Sequence, residues 1–405
     1  MPRVLGFIMA GGKGERLFPL TRERSKPAVP FGGKYRIIDF VLSNFVNSGI
    51  RSTYVLVQYK SQSLIEHLRV AWPSTGLTQE HFITLVPPQQ RFVGEALYRG
   101  TADAISQNLN LVRDFDPDLI AVFGADHIYR MDVRRMVDLH LAKDAEATIA
   151  CIPVPIAEAR GFGVAGTDAD GRIRQWVEKS PEPPSIPGDP TRAYASMGNY
   201  VFSRKALEEV LYEDCRRSTD HDFGRTIVPE MLERGRVFAF DFMGAPVEGT
   251  APYEEPGYWR DVGTLEAYWN AHMDCLGSEP KFELYNRRWP IRTGASELPP
   301  AHVDHSEIED ALIGEGCVIH GSRIRRCVLG RGVHIEPGCD LEDSIVMDYT
   351  VVHAGARLKR AIVDRHNILP AGAQVGIDTA ADRRRGYVVD RSGLVVIPRG
   401  VTRLE

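Results

Sequence analysis

Val4-Leu5-Gly6-Phe7-Ile8-Met9-Ala10 runs without a break into Gly11-Gly12-Lys13-Gly14-Glu15-Arg16-Leu17. An unbroken apolar run closed by glycines reads as a buried strand that ends in a loop. Such a loop lets backbone amides approach a phosphate, so Gly11, Gly12 and Gly14 are candidate nucleotide contacts. Spacing excludes two familiar phosphate loops. The Walker arrangement ending in Gly-Lys-Ser/Thr is absent, and Leu17 stands where a dinucleotide fingerprint needs a small residue. What remains is a strand-end loop followed by two cations, Arg16 and Lys26. Arg16 suits a terminal phosphate as a planar fork and Lys26 as a point charge. Arg22 and Arg24, close by, read as a solvated basic face.

The same texture continues to about residue 275. The apolar runs Tyr54–Val57, Leu119–Phe123 and Thr148–Val154 alternate with helical spacing over Ser61–Val70, Ala102–Val112 and Val133–Ala142. This alternation implies βαβ units in an α/β fold with a mostly parallel sheet, whose ligands lie beyond the strands' carboxyl ends. Around Pro280, Pro290, Pro299 and Pro300 the chain reads as a linker. Farther on, single apolar residues recur about every six positions, as in Ile335, Leu341 and Met347 or Val346, Val352 and Leu358. Short-period repetition of this kind points to a parallel β-helix, with an ordinary antiparallel β domain as the alternative. The expected organisation is a catalytic domain over residues 1–275, a linker over 276–300 and a β-helix over 301–405.

Composition narrows the function. A formal net charge of -5 over 405 residues gives no general attraction to nucleic acid or an anionic membrane. Six cysteines without a CxxC pair read as reduced thiols, and the first apolar run is too short for a signal peptide, so a cytoplasmic protein is expected. The run Leu119–Phe123 leads into Gly124-Ala125-Asp126-His127, and a carboxylate at a strand end suits Mg2+. A second carboxylate stands in Tyr258-Trp259-Arg260-Asp261. Asp132 reads as a helix N-cap and His127 as a packed or supporting imidazole.

Through Ala10-Gly11-Gly12-x-Gly14-x-Arg16-Leu17-x-x-Leu20-Thr21 and Lys26-Pro27-Ala28-Val29, the chain resembles the sugar-1-phosphate nucleotidylyltransferases. The stretch Phe31-Gly32-Gly33-Lys34-Tyr35-Arg36-Ile37-Ile38-Asp39-Phe40 with Leu42-Ser43-Asn44 narrows this to the bacterial glucose-1-phosphate adenylyltransferase family. The resemblance implies a Rossmann-like nucleotidyltransferase domain followed by a left-handed parallel β-helix that serves regulation and assembly. It implies ATP and glucose 1-phosphate as substrates, Mg2+ on Asp126 and Asp261, and a homotetramer that answers to anionic effectors. Arg16, Lys26 and Asp126 would act in the chemistry. Tyr98, Gly163, Glu178, Lys179 and Ser196 would surround the sugar phosphate, and Gly100 would lie near the adenine. Gln90 either reads the base edge or shapes its loop. Arg36, Lys359 and Arg360 are candidate effector contacts. Glu23 departs from the family members that respond to fructose 1,6-bisphosphate, which carry a lysine there, so their effector geometry is not expected.

Three other functions stay open at this point. One is transfer from another nucleoside triphosphate. Another is a regulatory subunit without catalysis, which the intact charged set argues against. The third is an acyltransferase β-helix using His320, His334, His353 or His366, for which the segment is short.

Overall fold

The structure, a computed structural model, describes residues 2–73, 81–89 and 97–400. Val4–Ala10 lies inside a nine-stranded sheet, hydrogen-bonded in parallel to Ser52–Val57 and Leu119–Gly124. Its Leu5 and Phe7 enter one apolar core and its Ile8 and Ala10 the other. Burial on both faces is why this strand shows no polar alternation. The parallel part continues through Phe82–Val86 at the edge.

The other half of the sheet is organised differently. The long strand Arg192–Ser203 runs antiparallel to Leu119–Gly124, to Ala147–Pro155 and to Gly163–Thr167. Parallel pairing therefore dominates around the glycine-rich loop, and antiparallel pairing dominates where Gly163, Glu178 and Ser196 lie. A register shift between Ser196 and Tyr200, with Gly198 at φ 70°, bends the long strand so that it can serve several neighbours.

Gln62–Ala71 and Val133–Ala142 are helices, and Asp132 caps the second by accepting from Arg134 N. The stretch expected as one helix over Ala102–Val112 is two, Thr101–Ser106 and Leu109–Phe115. Asn108 separates them. Its side-chain amide donates to Ala104 O at 2.8 Å and to the Tyr98 hydroxyl at 3.1 Å, offering the chain partners outside the helical ladder.

No helix or strand lies between Met273 and His302. From there short strands stack in parallel rungs, pairing residues 16 or 17 apart, as Val318 does with His334 and Arg323 with Asp340. Arg323–Leu329 pairs Asp340–Glu342 with its first half and Ile345–Val346 with its second. Together with the separate sheet that begins at His302–Asp304, this makes a three-faced parallel coil. Ile335, Leu341, Val346, Val352 and Leu358 fill its interior. The roughly six-residue recurrence in the sequence is one inward side chain per face.

The helix Leu265–Met273 joins the two parts, with Tyr268 and Trp269 in one apolar cluster with Val328, Ile345 and Ile362. Trp269 Nε1 donates to Asp343 O at 2.9 Å. Arg24, expected on a solvated face, is instead buried here and ion-paired with the equally buried Asp364. Removing one partner of such a pair strands the other charge, at a cost of about 3–5 kcal/mol. Among the described residues, no helix is long and apolar enough to cross a membrane.

Candidate active site

The glycine-rich loop leaves the sheet at Ala10 and turns through Gly14, whose φ of 64° is the left-handed conformation that glycine adopts without cost. Nothing lies over the Cα of Gly12, while Gly11 rests against Gln58. Arg16 is largely exposed beyond the loop, 3.8 Å from Asp261 Oδ2.

Lys26 does the most to define the site. Its Nζ lies 3.1 Å from Asp126 Oδ2 and 2.8 Å from Asp261 Oδ1, although the side chain is only 7% exposed. Asp126 arrives from the bend after Leu119–Gly124, and Asp261 from the short strand Trp259–Asp261. Burial would raise the Asp126 carboxyl, but His127 and Lys26 outweigh it and hold it well below the usual carboxylate range. Two carboxylates thus converge on one cation. A hard divalent ion asks for the same oxygen donor set, so Asp126 and Asp261 fit Mg2+. His127 is packed against Trp259, ring centroids 4.8 Å apart, and one of its ring nitrogens lies within 4.8 Å of a carboxylate oxygen of each aspartate. Nothing in the sequence pattern distinguishes that histidine from an ordinary core imidazole.

Of the residues expected at the sugar phosphate, Gly163 and Lys179 lie beside Glu178. It ends the strand Ile173–Glu178 opposite Gly163, and burial pushes its carboxyl up against the pull of Lys179, with Asp222 adding to the rise. A Cβ at Gly163 would come within 2.6 Å of Glu178 Oε2, and one at Gly224 within 3.0 Å. Two bare backbones thus hold one carboxylate between them. Trp176 Nε1 closes the arrangement by donating to Gly224 O at 2.7 Å. Lys179 is exposed with φ 52°, a conformation side-chain-bearing residues seldom hold, and its N–H donates to Phe162 O at 3.0 Å. Ser196 Oγ accepts from Gly198 N at 3.2 Å inside the bulge. The Asp222–Gly224 segment has no strand-end or charge signature of its own. The short π-helix Phe223–Ile227 that brings it to Glu178 is a tertiary outcome.

Because Gly163 carries no side chain where Glu178 must lie, Gly163→Ala is expected to displace that carboxylate. The KM for a sugar phosphate should rise roughly tenfold to a hundredfold while kcat changes less. Steady-state kinetics on a variant with a normal melting curve reads this. An unchanged KM would show that Glu178 does not touch the sugar.

Two expected contacts also have structural roles. Tyr98 is a core residue: its ring packs in the apolar cluster with Ala102 and Val112, and its hydroxyl accepts from Asn108. A Cβ on Gly100 would meet His221 O at 2.2 Å, so its bare Cα serves the close approach of that backbone. Gln90 lies outside the described residues.

The three effector candidates also separate. The Arg36 guanidinium donates to Ala28 O, Ser63 O and Ser63 Oγ, and burial with Arg365 and Arg24 nearby pushes its pKa down to about 10. Lys359 pairs with Glu342, and Arg360 lies over the Trp269 ring. Glu23 pairs with Arg399 at 3.3 Å. On the β-helix, His353 pairs with Glu336, His320 faces Asp304, and His366 stacks on Tyr349.

A mixed sheet whose parallel half ends in a glycine loop, with a lysine shared by two aspartates beside it, suits the handling of phosphate groups and a cation. The sequence model of the nucleotidyl transferase family matches residues 5–278, and that of the GlmU-like C-terminal hexapeptide family matches 298–397. A glucose-1-phosphate adenylyltransferase of Thermodesulfovibrio yellowstonii is 47% identical over 98% of this chain and 97% of its own length. One of Anaeromyxobacter sp. is 47% identical over 99% of each chain, and glucose-1-phosphate adenylyltransferase 1 of Vibrio vulnificus is 46% identical over 99% of each. The chain belongs to the glucose-1-phosphate adenylyltransferase family.

Proposed function

We propose that this chain makes ADP-glucose and pyrophosphate from ATP and glucose 1-phosphate, the activated-glucose step of glycogen synthesis. Full-length similarity to proteins of that name supports the substrates. The observation that carries the chemistry is the convergence of Lys26, Asp126 and Asp261 beside the phosphate loop.

A phosphate oxygen of glucose 1-phosphate attacks the α-phosphorus of ATP. A new P–O bond forms as the bond to the bridging oxygen breaks, and pyrophosphate leaves with the electron pair. The attacking phosphate is already an anion near neutral pH, so the protein needs no strong base. Its task is to hold two polyanions in line and spread their charge. Lys179 neutralises the attacker, Glu178 accepts from the hexose hydroxyls, and Ser196 donates to or accepts from them. Gly11, Gly12 and Gly14 line the triphosphate with amides. Arg16 and Lys26 take the leaving pyrophosphate, for which Lys26 must release the two aspartates. A Mg2+ ion held by Asp126 and Asp261 would supply neutralisation of phosphate charge.

We extend the reading to an anion-regulated homotetramer of the cytoplasm, with an effector site among Arg36 and its junction neighbours. Burial lowers the Arg36 pKa most, and Arg365 and Arg24 lower it further against the opposing pull of Asp348 and Asp39, so several cations gather at this junction. Pyrophosphate release measured with glucose 1-phosphate and each of ATP, UTP and dTTP, across a panel of glycolytic intermediates, tests the substrate assignment. ATP should be preferred at least about tenfold in kcat/KM. Faster turnover with UTP or dTTP would reassign the nucleotide.

A further inference from the structure

We infer that His127 is a third side-chain ligand of the cation that Asp126 and Asp261 hold, giving the centre two oxygen donors and one nitrogen donor. The inference rests on the reading that the two aspartates hold a divalent ion, and it adds a ligand that sets which ion is preferred.

The backbone makes the arrangement. His127–Tyr129 and Trp259–Asp261 form a two-stranded antiparallel ribbon in which His127 lies directly opposite Asp261. Opposite residues of an antiparallel pair project from the same face, within reach of one another. Asp126 precedes His127 in the chain, so one turn and one ribbon bring all three side chains together. One donor atom from each lies within 4.8 Å of the other two. Nδ1 of His127 is 3.3 Å from Asp126 Oδ1.

Two further observations separate a ligand from a space-filling ring. His127 Nδ1 is shut off from solvent and, although it lies 3.3 Å from Asp126 Oδ1, makes no hydrogen bond. Buried polar atoms are nearly always partnered, and an orphaned nitrogen facing a carboxylate pair is what a cation would satisfy. The ring is also held in place, tilted at 37° against Trp259, a residue of the same ribbon. Packing alone would be met by a phenyl ring, which buries no unpaired nitrogen.

An imidazole changes the ion chemistry. Carboxylates suit Mg2+ and Ca2+, whereas a nitrogen donor favours Mn2+ and Co2+ over both. His127 therefore raises the preference of the centre for a transition ion, and its removal should cost Mn2+ far more than Mg2+.

The test uses the substrate-free full-length protein, titrated with Mn2+ and read by the electron paramagnetic resonance of the free ion, with Mg2+ added as competitor. In His127→Phe, which keeps a ring against Trp259, Mn2+ affinity should fall roughly tenfold and Mg2+ affinity less than about threefold. The Co2+ absorption spectrum should change as well. Unaltered Mn2+ affinity, or equal losses for both ions, would overturn the proposal. Should His127→Phe fail to fold, His127→Gln, which keeps size and polarity but lacks the ring nitrogen, carries the same expectation. Asp126→Asn and Asp261→Asn separate the two levels of the argument. If they abolish Mn2+ binding while His127→Phe leaves it intact, only the third ligand is wrong. If they leave Mn2+ binding intact, no cation centre exists there and both readings fall.

Discussion

Lys26→Met should lower kcat for ADP-glucose synthesis by roughly a hundredfold to a thousandfold, the usual cost of losing a charge contact to a developing anion. The same variant should bind Mn2+ more tightly than the parent protein when no nucleotide is present. Both effects follow from one position. The Lys26 ammonium lies 2.8 Å and 3.1 Å from two carboxylates, in a side chain almost closed to solvent. It competes with any divalent ion for those oxygens. Replacing it by an apolar chain of similar length leaves Asp126 and Asp261 with Arg16 as the next cation, 3.8 Å from Asp261 and largely exposed. Tightening by about tenfold, or ~1.4 kcal/mol, is the expected scale. Isothermal titration with Mn2+ and a pyrophosphate-release assay measure the two halves separately. Weaker Mn2+ binding would mean that Lys26 does not share the aspartates in solution. An unchanged kcat would remove Lys26 from the chemistry.

The second large effect belongs to Lys179. Lys179→Gln should raise the KM for glucose 1-phosphate on the order of a hundredfold while altering kcat only a few-fold, the pattern expected when binding energy is lost equally from ground and transition states. A hydrogen bond to a charged group contributes about 1.5–3 kcal/mol, and the upper end of that range is about a hundredfold. The backbone makes Lys179 hard to replace. Its φ of 52° and its N–H bond to Phe162 O fix where the side chain starts, one residue beyond the carboxylate held between Gly163 and Gly224. Substrate-saturation curves for glucose 1-phosphate and for ATP would read the effect, and the ATP KM should stay near its parent value. An unchanged KM for glucose 1-phosphate would move the sugar phosphate to another cation.

Much of this architecture is legible in the sequence where local pattern and tertiary role coincide. Val4–Ala10 can be read to the residue because it is buried on both faces and stopped by glycines. The helix Val133–Ala142 can be read for a similar reason, since its apolar stripe and its Asp132 cap agree. The β-helix announces itself because each flat face takes one inward side chain. The pattern fails where a partner distant in the chain decides the outcome. Asn108 breaks a helix because Tyr98 and Ala104 supply it with partners. Gly100 is required by the carbonyl of His221. Arg24 looks like one more surface cation until Asp364, from the far end of the chain, meets it. His127 reads as an ordinary imidazole because the sequence does not display the ribbon that sets it opposite Asp261.

That ribbon has a consequence for how the chain matures. Lys26 is 100 residues from Asp126 and 235 from Asp261, so the cluster proposed to hold a cation has no precursor in any short fragment. Closing such long loops is entropically slow, and the contacts that reward it come only after the distant strand has docked. A nascent chain that has emerged through Asp126 but not yet through Asp261 carries half of the carboxylates and no ribbon partner for His127. Competence to hold the ion should therefore arise in one late step. From then on, every ion bound there favours the completed chain over any partly folded form by simple mass action.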